Sequence, residues 1–280
     1  MSRTRIAYLP LATYPEAAAD KEILAAAIFG ASLGFSLSIT TFAVDIPQIS
    51  AGLLGDFLVD VPGLIHAAEH KSKAECDRLH TLVKAAPGLS VDVLRKTQKI
   101  ALGTVPDAAA AEARYFDLSL LPWSAESVSA QDMMQAVVFG SGRPAILVPP
   151  QAGPVVLDHI AIAWDGSRVA ARALGDALSV LVEGGRISVL TVQDEKPLSG
   201  PDLAGTLASS LEKRGFSAKA LEIPIGARTV AEALQDTALS EGAQVLAMGG
   251  FGHSRIRDFI LGGATNGVLT QLRLPALLSH

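Results

Sequence analysis

The sequence predicts an α/β fold of two tandem domains, each a five-stranded parallel doubly wound sheet. Three observations carry that expectation. Strand-like and helix-like patterns alternate as β-α-β-α-β-α-β-α-β twice along the 280 residues. The halves echo one another at their ends, "RIAYLPL" with "HIAIAWD" and "RPAILVPP" (143–150) with "LPALLSH" (274–280), which reads as a tandem duplication. Apolar side chains make up 49% of the chain and charged ones 18%, a balance suited to parallel sheets buried on both faces.

In the first half, strands are expected at 5–11, 36–44, 90–97, 116–123 and 145–150, with helices at about 15–32, 62–86, 106–114 and 129–140. The run from Ile23 to Val44 carries no charge over a membrane-spanning length. Its Gly, Ser and Thr content lowers its hydrophobicity and Gly34 breaks it, so it is read as a helix and then a strand closed by Asp45 and Pro47. "PPQAGPVVLD" (149–158), with three prolines and a glycine, is the expected linker between a domain at 1–150 and one at 158–280. Strands follow at 159–164, 186–192, 217–223, 244–250 and 275–279, with helices at about 168–183, 200–214, 228–240 and 264–273. Ser167 is the expected N-cap of the first of these helices, and Gly226 turns the chain toward a helix starting near Thr229. Strands separated by helices imply parallel pairing and right-handed crossovers.

Composition also excludes functions. A net charge of −5 argues against a general nucleic-acid or lipid-surface binder. A lone cysteine, Cys76, makes no internal disulfide, and the apolar run before Pro10 is too short for a secretory signal, so a reducing, cytoplasmic setting is expected. His66, His70, Cys76 and His80 form two i,i+4 pairs, but continuous helix between them separates the pairs by about 15 Å, so a solvated helix face is favoured over a metal site. No catalytic set of paired carboxylates or of Ser, His and Asp assembles.

Ligands of doubly wound sheets sit beyond the carboxyl ends of the strands, near the switch in strand order. There the first strand of the second half ends in Asp165, able to accept a hydrogen bond from an adenine amino group or a ribose hydroxyl, or else serving as a loop-and-cap aspartate. Val192 ends the next strand, where it offers an apolar contact. Trp164 is either a wall of that crevice or a core aromatic. The fourth strand ends in "MGGFGHSRIRDFILGGATN" (248–266), with Gly249-x-x-Gly252, nine residues, then Gly262-Gly263-Ala264-Thr265. Glycines let backbone N–H groups approach an anion, and a helix starting near Ala264 points its positive end there, with Thr265 offering a hydroxyl. His253, Ser254 and Arg255 follow as rim residues. The first half shows the same strand and helix without these glycines, which makes a ligand the better reason for them.

This constellation resembles the universal stress protein family. Nucleotide-binding members of that family carry Gly, two residues, Gly, nine residues, Gly and then Ser or Thr after the fourth strand. Gly249, Gly252 and Gly262 match the glycines. The resemblance spans 158–280 through "IAWDGS", "ISVLTVQDE" and "LPALLSH", and over 1–150 it is one of architecture. It implies a Rossmann-like, adenine nucleotide alpha hydrolase-like fold and a stress-response protein that binds ATP or AMP, with magnesium as an accompanying ion. It further implies that Asp165 contacts adenosine, that Val192 packs near the base, and that Met248, Gly249, Gly252, His253, Gly262, Gly263, Ala264 and Thr265 surround ribose and phosphates. Gly263 departs from the pattern, standing where the first Ser or Thr is expected.

The first half, with neither the aspartate nor the glycines, is expected to bind no nucleotide in that manner and to pair with the second half as an intramolecular pseudo-dimer, a homodimer staying open. No nucleic acid or membrane partner is expected. The competing function is a dimerisation or interaction module that has lost its nucleotide. A true hydrolase or ligase of the related type is disfavoured, because neither first strand is followed by a Ser-Gly-Gly-x-Asp-type loop.

Overall fold

The alternating pattern becomes ten strands and eight helices among the residues described by the computed structural model, which are 4–47, 60–86, 89, 93–193, 202–250 and 263–280. The first half contains β1 (Ile6–Ala12), α1 (Asp20–Ser32), β2 (Ser36–Asp45), α2 (Val61–Lys84), β3 (Val93–Ala101), α3 (Val105–Ala113), β4 (Leu118–Pro122), α4 (Val128–Gly140) and β5 (Ala145–Val148). The second contains β6 (His159–Ala163), α5 (Arg168–Leu178), β7 (Arg186–Gln193), α6 (Leu203–Lys213), β8 (Ser217–Pro224), α7 (Val230–Ser240), β9 (Val245–Gly249), α8 (Gly263–Thr270) and β10 (Ala276–Ser279).

All ten strands lie in one sheet, ordered β3-β2-β1-β4-β5-β10-β9-β6-β7-β8. Within each half the order is 3-2-1-4-5 counted from that half's first strand, with parallel pairing throughout. The halves meet where β5 and β10 pair antiparallel, Ile146 opposite Leu277. Each half therefore has its switch point between its first and fourth strands, β1 and β4 in one and β6 and β9 in the other.

Helices cover both faces. One core packs α1, α2, α5 and α6 through Phe29, Leu79, Leu174 and Leu211, and the other packs α3, α4, α7 and α8 through Ala113, Val137, Leu234 and Val268. Successive strand residues alternate between these cores, as in Val245, Leu246, Ala247 and Met248 of β9. The charge-free run from Ile23 divides into α1 and β2, and no helix among the described residues is long and apolar enough to cross a membrane.

Several boundaries shift from expectation for identifiable reasons. α1 starts at Asp20, not near 15, where the Glu22 carboxylate accepts the Ala19 N–H at 3.0 Å. β3 starts at Val93 and runs on to Ala101, pairing with β2 from Leu37 to Asp45; its Arg, Lys and Gln residues suit an edge strand. α8 ends at Thr270, although Leu272 and Leu274 beyond it are still buried. The Pro-rich stretch at 149–158 forms no strand or helix, yet it is fastened: Val155 N–H donates to Ser32 Oγ at 3.0 Å and Leu157 is fully buried.

α2 is one continuous helix. His66 and His70 are exposed on it, Cys76 is buried with its thiol pushed up by desolvation, and His80 Nε2 meets the hydroxyls of Thr41 and Thr97 at 3.1 and 3.2 Å. Among the described residues no group of three or more His, Cys, Asp or Glu side chains is placed to hold a metal ion.

Candidate functional site

The switch point of the second half lies between the adjacent parallel strands β6 and β9. β6 and β9 are paired as far as Ile162 and Ala247. Beyond β6, Trp164 N–H donates to Leu190 O at 2.7 Å and the Thr191 hydroxyl donates to Trp164 O at 2.8 Å, which ties the exit to β7. The Trp164 side chain packs on the α5 face as a partly buried core aromatic. Asp165 Oδ1 then accepts the Ser167 N–H at 3.0 Å, and Ser167 Oγ accepts the Ala170 N–H at 3.2 Å as the expected N-cap. Gly166, at φ +75°, makes the turn between them in a backbone region where a Cβ is strained. Asp165 is half-buried, and one of its carboxylate oxygens shapes the start of α5. Val192 is half-buried in the same core as Met248, which is 3% exposed.

From β9 the chain passes Gly249 and Gly250. A Cβ on Gly249 would lie 2.6 Å from Val169 Cγ2 and 2.7 Å from the Val169 carbonyl carbon, in the first turn of α5. The fold itself therefore requires glycine here. That corrects the expectation that a ligand is the better reason for every glycine of the motif: at Gly249 close packing between strand and helix suffices.

α8 opens at Gly263, one residue before the expected start. Gly263 is exposed, and a Cβ there would meet nothing within 4 Å. Ala264 is half-buried, while Thr265 is 5% exposed and its hydroxyl points inward, donating to Gly249 O at 3.4 Å. This bond ties the start of α8 to the end of β9. Met248, Gly249 and Thr265 thus converge directly, Gly263 and Ala264 share their helix start, Asp165 lies two residues beyond the end of β6, and Val192 is the penultimate residue of β7. Gly252, His253 and Gly262 lie outside the described residues.

Register shows what the first half has at the same places. Trp123 N–H donates to Val148 O at 3.0 Å just as Gly250 N–H donates to Ser279 O at 2.8 Å. Pro122 and Trp123 therefore stand where the second half has Gly249 and Gly250, and by the same count along β1 and β6 Ala12 stands where it has Asp165. The switch point of the first half is a mainly apolar hollow lined by Leu11, Ala12, Pro122 and Met133, with Glu16 and Ser127 as polar members.

The sequence model of the universal stress protein family matches residues 157–280. Through these residues the second half of the chain is similar to the universal stress protein family. Universal stress protein Slr1230 of Synechocystis sp. is 28% identical over 149 residues, a match covering 51% of this chain and 49% of that protein. The chain thus spans about half the length of this curated relative. A universal stress protein structure from Archaeoglobus fulgidus aligns over 97% of this chain and 95% of its own, with a TM-score of 0.65 and 14% identity. A Pseudomonas aeruginosa structure aligns over 99% of this chain and 93% of its own, with a TM-score of 0.52 and 14% identity. At such identities the likeness is one of fold, and it extends across both halves of this chain, whereas the family match is confined to the second.

Proposed function

We propose that this protein binds an adenine nucleotide, ATP or AMP, at the β6/β9 switch point of its second half and acts as a nucleotide-responsive stress protein. The observation that supports the reading is the opening turn of α8. Gly263 is exposed and clear of other atoms, and the helix start is docked on the end of β9 through Thr265 and Gly249. The first N–H groups of a helix have no intrahelical acceptors, and with the helix dipole they suit phosphate oxygens. In this reading Val192 flanks the base, Asp165 takes a ribose or adenine hydrogen bond, and Met248, Gly249, Gly252, His253, Gly262, Gly263, Ala264 and Thr265 surround the ribose and phosphates. Magnesium, if it accompanies ATP, would be held chiefly by phosphate oxygens.

The first half lacks this arrangement, with Pro122 in place of Gly249 and a carboxylate, Glu16, beside its switch point. Its part in the proposal is that of an internal partner, joined through β5 and β10 as a pseudo-dimer. A cytoplasmic setting suits its lone, buried Cys76. A second reading, an interaction module without nucleotide, is favoured by the packing reason found for Gly249 and by the internal use of the Thr265 hydroxyl.

The two are separated by denaturing the purified protein, chromatographing the released small molecules, and measuring thermal shift with millimolar ATP. Nucleotide in the extract or a clear stabilisation by ATP is expected. The absence of both signals would overturn the nucleotide reading. Gly252→Val should abolish the shift while leaving the circular dichroism spectrum unchanged; retained binding would place the site elsewhere.

A further inference from the structure

The last carbonyls of a helix have no intrahelical donors, and a buried helix end must find them elsewhere. At the C-terminal end of α8 the donors are supplied by side chains from three separate segments. Trp123 Nε1 donates to Leu269 O at 3.0 Å in a buried contact. Gln151 Nε2 donates to Leu272 O at 3.1 Å. Gln235 of α7 donates through Nε2 to Gln271 O at 3.0 Å and accepts the Arg273 N–H through Oε1 at 2.9 Å. Only Gln235 belongs to the second half; Trp123 follows β4, and Gln151 lies in the connecting stretch.

Position makes the indole contact informative. Trp123 stands in the first half where Gly250 stands in the second. On the second half's side that position is tight, because a Cβ on Gly250 would come 3.3 Å from Val138 Cγ1 of α4, which must then shift to admit it. The pseudo-symmetric pair is thus complementary. Where one half has glycine and admits α4 of the other, the other half has tryptophan and reaches across to α8. The first half has an indole donor at one of the two positions matching Gly249 and Gly250.

We propose that the first half is a positioning element for the second, Trp123 and Gln151 clamping the C-terminal end of α8 so that its opening turn is held fixed on β9. What that turn faces rests on the nucleotide reading; the clamp itself does not. Trp123 and Gln151 are positioning residues, acting through the helix. Without the clamp, α8 is an eight-residue helix tied down by its packed face, Gln235 and the Thr265 bond.

The test is amide hydrogen exchange on the full chain without ligand, comparing Trp123→Phe and Gln151→Ala with Val83→Ala. Val83 is a buried residue of α2 on the opposite face of the sheet, so its truncation controls for general loss of stability. Loss of a buried hydrogen bond should speed exchange of the α8 amides roughly tenfold in Trp123→Phe and about threefold in Gln151→Ala. Amides of β6 and β9 should change no more than in the Val83→Ala control. With ATP as the probe, affinity should fall several-fold in Trp123→Phe and stay unchanged in Val83→Ala. Exchange in α8 no faster than in the control overturns the clamp; if Trp123→Phe fails to fold, Gln151→Ala against wild type decides alone. Absence of ATP binding by the wild type would overturn the nucleotide reading and leave the exchange result to judge the clamp.

Discussion

Gly249 and Gly263 belong to one motif, yet they are glycine for different reasons. Gly249 faces the first turn of α5 at a distance no side chain tolerates, whereas Gly263 opens a helix into free space. Gly249→Ala should therefore cost about 1–3 kcal/mol by overpacking, seen as a lower denaturant midpoint whether or not nucleotide is present. Gly263→Ser meets no obstacle and restores the hydroxyl that the family pattern has there. It should leave the melting temperature intact and tighten ATP binding by a factor of about 5, read by titration calorimetry. Unchanged affinity in Gly263→Ser would remove this helix start from the binding surface. The glycine spacing was legible in the sequence, but the difference between its members was not, because nothing in a spacing says which glycine faces a neighbouring helix.

Among the elements, the β6–β7 and α2–β2 contacts show how buried polar groups hold the scaffold beneath the site. His159 opens β6 at 3% exposure, its Nε2 within 2.9 Å of Ser188 Oγ on β7. Desolvation first, then the charge of Arg186, holds its pKa below the ordinary 6.5. Desolvation likewise depresses His80 of α2 below 6.5, helped by Arg95. For both, the folded state disfavours the imidazolium. Their contribution to stability is complete above the unfolded value and is lost as pH falls through the lower folded value. Stability should accordingly decline on acidification below about pH 6.5, and His159→Gln should flatten that decline in urea melts; an equal slope in the variant would refute the assignment. Ser72 is the hinge of a second network. Thr13 donates its one hydroxyl hydrogen to Phe42 O at 2.6 Å, so Ser72 Oγ donates to Thr13 Oγ1 and accepts the Val44 N–H at 2.9 Å. Ser72→Ala strands a buried N–H and should cost about 1–3 kcal/mol by chemical denaturation. Sequence pattern placed these helices and strands within a few residues. It did not predict the networks, whose partners lie 28 to 59 residues apart in the chain.

Across the whole molecule, the antiparallel β5–β10 seam makes one sheet of two halves, and side chains reinforce it. Arg5 Nη1 donates to Ser179 O at 3.0 Å from the first half, and Arg172 Nη2 donates to Gly142 O at 3.3 Å from the second. Each half carries one of the two tryptophans, Trp123 and Trp164. Fluorescence and far-ultraviolet circular dichroism should therefore report one coincident unfolding transition. Two separated transitions would mean that the halves unfold independently despite the shared sheet.

By itself the sequence determined the alternation of strands and helices, the likeness of its second half to the universal stress protein family, and the place of a glycine-rich stretch following β9 in the chain. These depend on local periodicity and spacing, which a linear chain displays. Only the tertiary structure decided that β5 and β10 pair antiparallel within one continuous sheet, that Gly249 is held to glycine by Val169, and that Trp123 reaches the carbonyl of Leu269. Those outcomes depend on which groups meet across the sheet, and burial makes each one obligatory: a buried carbonyl must find a donor, and a strand end against a helix leaves no room for a Cβ.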